Sequence, residues 1–304
     1  MAPRTARTLL AGLTMVQLLQ AQPALERISR SGPLIIAHRG FSRQAPENTL
    51  PAFRLALDAR ADLVELDYHH SADGIPVVIH DDTLDRTTDA TNRWEGKEIA
   101  VDARTYAELA TLDAGRWFGP SHAGIRLPTL SQALDEIQSR GCTLIEHKGG
   151  DPATLVRILR GKEMLSTVVV QSFDWEFLRG LHALMPDLVL GALGPPSSRD
   201  GRKLTDQEKI LSAAHLERIE PLGVRVVGWS RQVTPDAIRL AHQRGFKVWI
   251  YTLNDPQEAR RLVDAGVDGL ITDDPALIRS ELFPGGDEPA RVPADSTRSP
   301  NRGR

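Results

Sequence analysis

Leu63-Val64-Glu65-Leu66-Asp67 has the aliphatic makeup of a buried strand, yet it carries two carboxylates where the run ends. In a strand, residues two apart share a face, so Glu65 and Asp67 point the same way. The pattern repeats outward from this segment. Leu34 to Ala37 stops at His38-Arg39, Thr143 to Ile145 runs into Glu146 and Lys148, and Thr167 to Val170 stops at Gln171. Leu188 to Leu190, Val224 to Val227, Lys247 to Ile250 and Gly269 to Ile271 bring the candidate strands to eight. Most of the gaps hold a stretch of helical period: Thr49 to Ala59, Leu130 to Arg140, Asp174 to Leu184, Pro235 to Arg244 and Pro256 to Ala265. Eight strand–helix units in about 250 residues predict an α/β fold of the (β/α)8 TIM-barrel type. A doubly wound sheet would need a glycine-rich nucleotide loop, which the sequence lacks. In such a barrel the C-terminal strand ends form one rim, so the charged ends converge.

The 304 residues carry 37 basic and 40 acidic side chains with no basic block in the body of the chain, which excludes a nucleic-acid footprint and favours a small-molecule partner. The single cysteine, Cys142, excludes an internal disulfide and is expected to pack at a strand end. No run reaches the eighteen apolar residues of a membrane span, so no integral membrane segment is expected. Residues 1–32 read as an N-terminal extension. Arg4 and Arg7 precede an apolar stretch, Leu9 to Leu19, that is broken by Gln17 and followed by no clean cleavage site. A helix packed on or extending from the barrel is the reading adopted, and with it a cytoplasmic location; a signal peptide would make the protein secreted or periplasmic. The barrel is expected over 33–282. Residues 283–304, rich in Pro, Gly, Ser and Arg, are expected to be a disordered tail. Nothing in the sequence sets an oligomeric state.

Glu146, from the next barrel strand, joins Glu65 and Asp67 as a third hard oxygen donor. Three carboxylates without a Cys or His set suit one divalent cation, Mg2+ or Ca2+, and not zinc. Lys148 shares the face of Glu146 and offers a point charge for a phosphate oxygen; Arg39 offers a bidentate one, or an ion pair with Glu47 or Asp81. Asp73-Gly74 predicts a β-hairpin after the second strand. With these two as its central residues, Ala72 faces Ile75 and Asp67 faces His80, delivering that histidine beside a metal ligand. His38 and His80 are thus the candidate general acid and base, in either order. His69, His70, His122, His147, His182, His215 and His242 lack such a setting, and His147 should turn toward the helical layer.

His38-Arg39-Gly40, Pro46-Glu47-Asn48-Thr49, Glu65-Leu66-Asp67 and His80-Asp81 together resemble the glycerophosphodiester phosphodiesterase family, in order and in spacing. Asp85-Arg86-Thr87-Thr88, Leu127-Pro128-Thr129-Leu130, Glu146-His147-Lys148, Gln171-Ser172-Phe173 and Thr272-Asp273 extend the similarity over roughly residues 33 to 281. The resemblance implies hydrolysis of a glycerophosphodiester to an alcohol and sn-glycerol 3-phosphate. Glu65, Asp67 and Glu146 would be metal ligands, His38 and His80 acid and base, and Arg39 and Lys148 phosphate-binding. Glu47 would lie beside the metal or the glycerol hydroxyls, with Gln171 and Tyr251 also on the substrate. Tyr251 departs from the family pattern, where tryptophan is usual, and His147 stands where an aliphatic residue is usual. The link from His80 to Leu127, with Trp94, Trp117 and Phe118, is too short for a large inserted domain. A lysophospholipase D or sphingomyelinase D type enzyme is the alternative, distinguished by an apolar acyl groove. A barrel that binds phosphorylated ligands without turning them over is a second, which intact His38 and His80 oppose.

Overall fold

A computed structural model describes residues 23–196, 198–199 and 201–284 of the protein. The apolar stretch Leu9 to Leu19 and the tail beyond residue 284 lie outside the described residues. In chain order the strands are β1 (Leu34–Ala37), β2 (Leu63–His70), β3 (Pro76–Val78), β4 (Thr143–His147), β5 (Val168–Ser172), β6 (Val189–Gly194), β7 (Ser198–Arg199), β8 (Arg202–Lys203), β9 (Val226–Trp229), β10 (Lys247–Ile250) and β11 (Gly269–Thr272). Parallel pairing runs β1-β2-β4-β5-β6-β9-β10-β11 and returns to β1, so eight strands close into the predicted barrel. The expected helices lie between them, among them Leu50–Asp58, Leu130–Gln138, Trp175–Leu184, Pro235–Gln243 and Pro256–Asp264. Several start on side-chain caps. Thr49 accepts from the Ala52 N–H, and Thr129 forms a reciprocal capping box with Gln132.

The period of two sorts each strand between two cores. Ile35, Val64, Leu66, Tyr68, Ile145, Val170 and Val248 pack outward with the helices. Leu34, Ile36, Leu63, Leu144, Val169, Val226, Trp249 and Ile271 fill the barrel interior. Glu65, Asp67, Glu146 and Gln171 continue the inward parity toward the C-terminal rim. His147 takes the outward parity, as expected, and stacks on Phe177 with ring centroids 3.5 Å apart.

At the opposite end the helix Pro23–Ser29 closes the barrel, inserting Ala24 and Ile28 into the interior cluster beside Cys142. Burial pushes the Cys142 thiol up to about 11, so this cysteine is a packing residue. Asp62, just before β2, gathers the closure: it accepts from the Ile35 N–H at 2.8 Å, from Arg30 at 2.5 Å and from Arg279 at 2.9 Å. A third cluster, Val77, Ile79, Leu84, Val101, Leu109, Leu112 and Leu127, with Trp94 packed against it, anchors the link after the hairpin. Among the described residues no helix is long and apolar enough to cross a membrane.

The hairpin differs from the sequence expectation by one residue. Tyr68 faces Val78, His69 faces Val77 and His70 faces Pro76, and the Ile79 N–H donates to the Asp67 carbonyl. The turn therefore holds three residues, Ala72, Asp73 and Gly74. It is closed by the Ser71 N–H on Ile75 O at 3.0 Å and the Gly74 N–H on Ser71 O at 2.9 Å, with Gly74 left-handed at φ 74°. This is the loop in which a turn is followed by a left-handed glycine, and Ser71 Oγ tightens it through Asp73 and Ile75. Asp67 consequently faces Ile79, and His80 emerges one residue beyond the ladder.

Replacing Asp62 by Ala removes the shared acceptor of two guanidiniums and one buried N–H. Urea unfolding should show a loss of about 3 kcal/mol, with turnover by the remaining folded protein unchanged because the rim is untouched.

Candidate active site

The rim is assembled by strand register. Asp67 pairs level with Glu146, and Glu146 with Gln171, so neighbouring strands bring these side chains to one height. Glu65, Asp67 and Glu146 each place a carboxylate oxygen within 4.8 Å of the others, and all three are buried. Burial drives the Glu65 carboxyl well above the usual range, with Asp67 and Glu146 adding to it. Glu146 is pushed up to about 7 by burial and by Asp67, against the pull of Lys148. Burial acts on Asp67 too, but Lys148, Arg39, His80 and His38 outweigh it and hold that carboxyl low.

The loop after β1 folds back over this cluster. Arg39 is left-handed at φ 55° and is followed by Gly40 at φ 83°, where a Cβ would come within 2.7 Å of the Ala52 backbone. The turn aims the Arg39 N–H at Glu65 Oε2, 2.6 Å away. Its guanidinium reaches Glu47 at 2.8 Å and Asp67 at 3.3 Å. Of the two ion pairs open to Arg39, Glu47 is the one formed; Asp81 pairs with Arg86. Lys148 lies against Glu146 and 3.4 Å from Asp67. Gln171 donates to Glu146 at 3.4 Å. The Tyr251 hydroxyl donates to the Gly194 carbonyl at 2.6 Å, and its ring meets Phe173 edge-on. Burial, and secondarily the Glu146 charge, raise the Tyr251 hydroxyl above its ordinary value and keep it neutral.

Each candidate histidine is held by a carboxylate. His38 Nδ1 lies 2.6 Å from Asp273, and His80 Nδ1 lies 2.6 Å from Asp81. A carboxylate only accepts, so Nδ1 carries the proton in both rings and Nε2 is the free nitrogen. Asp273 is itself fixed by Ser42 and Asn254, and despite its burial His38 holds it down at about 2. His80 sits below its ordinary value, chiefly through burial. Its place in the field of Asp67 survives the corrected register, and His69 Nε2 meets the His80 carbonyl at 3.1 Å.

Several of these partners were quoted in the sequence without a role. Asn48, left-handed at φ 59°, grips Asp67 twice: its Nδ2 donates to Oδ2 at 2.8 Å and its Oδ1 accepts the Asp67 N–H at 3.1 Å. Asp273 obeys the same charged-strand-end rule as His38 and could have been found by it. Asp81 was signalled by the His-Asp dipeptide. His69 shares the strand parity of Glu65 and Asp67, and Arg86 stands within the Asp85-Arg86-Thr87-Thr88 motif, but neither signal says what the side chain holds.

A family model described as the Glycerophosphoryl diester phosphodiesterase family matches residues 38–277. The chain belongs to this family. Family membership makes it an enzyme of the phosphoric diester hydrolase class. A glycerophosphodiester phosphodiesterase of Caldanaerobacter subterraneus subsp. tengcongensis is 32% identical over 261 residues, spanning 83% of this chain and 99% of its own. A solved Oleispira antarctica phosphodiesterase in complex with the product sn-glycerol-3-phosphate aligns with a TM-score of 0.68 at 29% identity, covering 83% of this chain and 97% of that one. An Agrobacterium tumefaciens glycerophosphodiester phosphodiesterase aligns at 0.64 and 29%, covering 82% and 99%.

The donor set of this phosphodiesterase fits a divalent cation. Glu65 Oε1 is buried with no hydrogen-bond partner, an acceptor left for a ligand to satisfy, and the ligand atoms are all hard oxygens. A cation must displace protons from carboxyls that resist ionisation. Calorimetric titration with Ca2+ or Mg2+ should therefore show affinity falling as pH drops through about 7, the value to which Glu146 is raised, with protons released on binding.

Proposed function

We propose that this enzyme hydrolyses glycerophosphodiesters to an alcohol and sn-glycerol 3-phosphate, with His38 and His80 as the acid–base pair. The observation that carries the reading is the pair of carboxylate-anchored imidazoles, each with Nε2 free, on elements flanking the carboxylate cluster. Phosphodiester cleavage needs one proton removed from the attacking oxygen and one delivered to the departing alkoxide as the P–O bond breaks. Two histidines with the same tautomer fixed serve these tasks as one neutral and one protonated ring. Asp273 and Asp81 hold the rings in place and stabilise whichever is charged.

Glu65, Asp67 and Glu146 would hold one Mg2+ or Ca2+. When bound there, the cation neutralises charge on the phosphoryl oxygens. Arg39 and Lys148 supply the remaining positive charge, Arg39 through a fork already oriented by Glu47. Gln171 and Tyr251 lie on the wall toward which the glycerol or the leaving alcohol would extend. The product-bound Oleispira relative supports a glycerol 3-phosphate site on the same fold.

Incubation of the enzyme with glycerophosphocholine and glycerophosphoethanolamine should release glycerol 3-phosphate in the presence of Mg2+ or Ca2+ and stop on chelation. Lysophosphatidylcholine serves as the competing substrate, and cleavage confined to it would transfer the assignment to a lysophospholipase D type reaction. His80→Ala and Glu65→Ala should each lower kcat by at least about a hundredfold with the fold preserved. Most of the activity surviving in either variant contradicts the assignment.

A further inference from the structure

Arg86 is absent from the roles derived above, yet more side-chain hydrogen bonds meet on it than on either of the site cations. Its Nε and Nη2 donate to Asp81 at 2.6 and 2.9 Å, and its Nη1 and Nη2 donate to the two Glu47 oxygens at 2.8 Å each. One guanidinium thus forks onto two carboxylates from different segments, the loop after β1 and the segment after the hairpin. Each carboxylate has its other hand on a group of the site. Asp81 Oδ1 holds His80 Nδ1, and Glu47 Oε1 holds Arg39 Nη1 at 2.8 Å.

We infer that Arg86 is a positioning residue that fixes His80 and Arg39 in one frame through Asp81 and Glu47. The inference rests on the reading of His80 as an acid–base group. The geometry requires a planar fork. A carboxylate bonded only to an imidazole can rotate about its Cβ–Cγ bond and carry the ring with it. With both of its oxygens pinned by a guanidinium it presents one fixed acceptor direction. His80 needs this more than His38 does, because it stands beyond the ladder on a segment whose last interstrand contact is at Ile79. His38 follows β1 directly, with its N–H on the Thr272 carbonyl. The order of charges, Arg39, Glu47, Arg86, Asp81 and the imidazole, alternates in sign, so loss of Arg86 also brings two anions together without the cation between them. A lysine at this position has three donors on one nitrogen and cannot fork onto both carboxylates.

The test measures glycerophosphocholine turnover by Arg86→Gly, Arg86→Lys, Asp81→Asn and the Arg86→Gly/Asp81→Asn double variant, with His80→Ala as control. Arg86→Gly should lower kcat about 10–100-fold with a smaller rise in KM, and Arg86→Lys should not restore it. The losses in the double variant should fall short of multiplying, because either change severs the link to His80 and only Arg86→Gly also releases Glu47 and Arg39. The Arg86 side chain is 44% exposed, so added guanidinium should enter the gap left by glycine and recover part of kcat, which a purely structural role does not predict. Parental kcat in Arg86→Lys, losses that multiply in the double variant, or no response to guanidinium overturns the inference. Should Arg86→Gly fail to fold, Arg86→Lys and its comparison with Asp81→Asn decide alone. An active His80→Ala sinks the functional reading instead, whereas an inactive His80→Ala beside an unimpaired Arg86→Lys sinks only the role of Arg86.

Discussion

Three carboxylates are forced together by the register of two parallel strands, and the architecture of the rim follows from the need to tolerate them. At separations of at most 4.8 Å and an effective dielectric of 20, each pair, if both members were charged, would cost at least about 3.5 kcal/mol before the penalty for burial. The barrel wall answers with positive charge and with donors. Lys148 arrives from the strand that carries Glu146, Arg39 from the left-handed turn after β1, and Asn48 clamps Asp67 from the same loop. The result is one carboxyl held ionised and two that stay reluctant to ionise until a cation is present. A site built this way is suited to a cation, and the divalent ion proposed above would relieve the cost of bringing the three carboxylates together.

The second layer of the site keeps two imidazoles in one tautomer. Both solutions use an aspartate on Nδ1, but the supports differ with the local backbone. Asp273 follows the last barrel strand and is braced by Ser42 and Asn254, so His38 is fixed through the barrel itself. Asp81 lies outside the ladder and is braced by an arginine that spans to Glu47. The same bracing tightens Arg39 through Glu47. Orientation of the two imidazoles proposed as acid and base, and of Arg39, is therefore a shared property of the loops over β1 and β2.

Much of this was legible in the sequence, because the period of two and the rule that barrel strands point their C-terminal ends into one rim are both local. Glu65, Asp67, Glu146 and Gln171 follow from parity, and His147 was rightly turned away by the same rule. The hairpin was misplaced by one residue because Asp73-Gly74 has the look of a two-residue turn, while Ser71 Oγ and a left-handed Gly74 stabilise a three-residue one. Asn48 could not be read as a clamp, since its reach depends on a left-handed φ that an asparagine tolerates but does not announce. Arg86 was out of reach for a plainer reason: its partners lie 5 and 39 positions away, and only the closed fold brings them to one guanidinium.

The central claim is that Glu65, Asp67 and Glu146 act together as one cation site facing the phosphate-directed cations. A crystal structure of the enzyme grown with Ca2+ and sn-glycerol 3-phosphate tests it most directly. The account predicts one Ca2+ bound by oxygens of all three carboxylates at about 2.3–2.6 Å, with a phosphate oxygen completing the shell and the imidazole Nε2 atoms on either side. Calcium bound elsewhere, or phosphate held by Arg39 and Lys148 with the three carboxylates left without an ion, would contradict it.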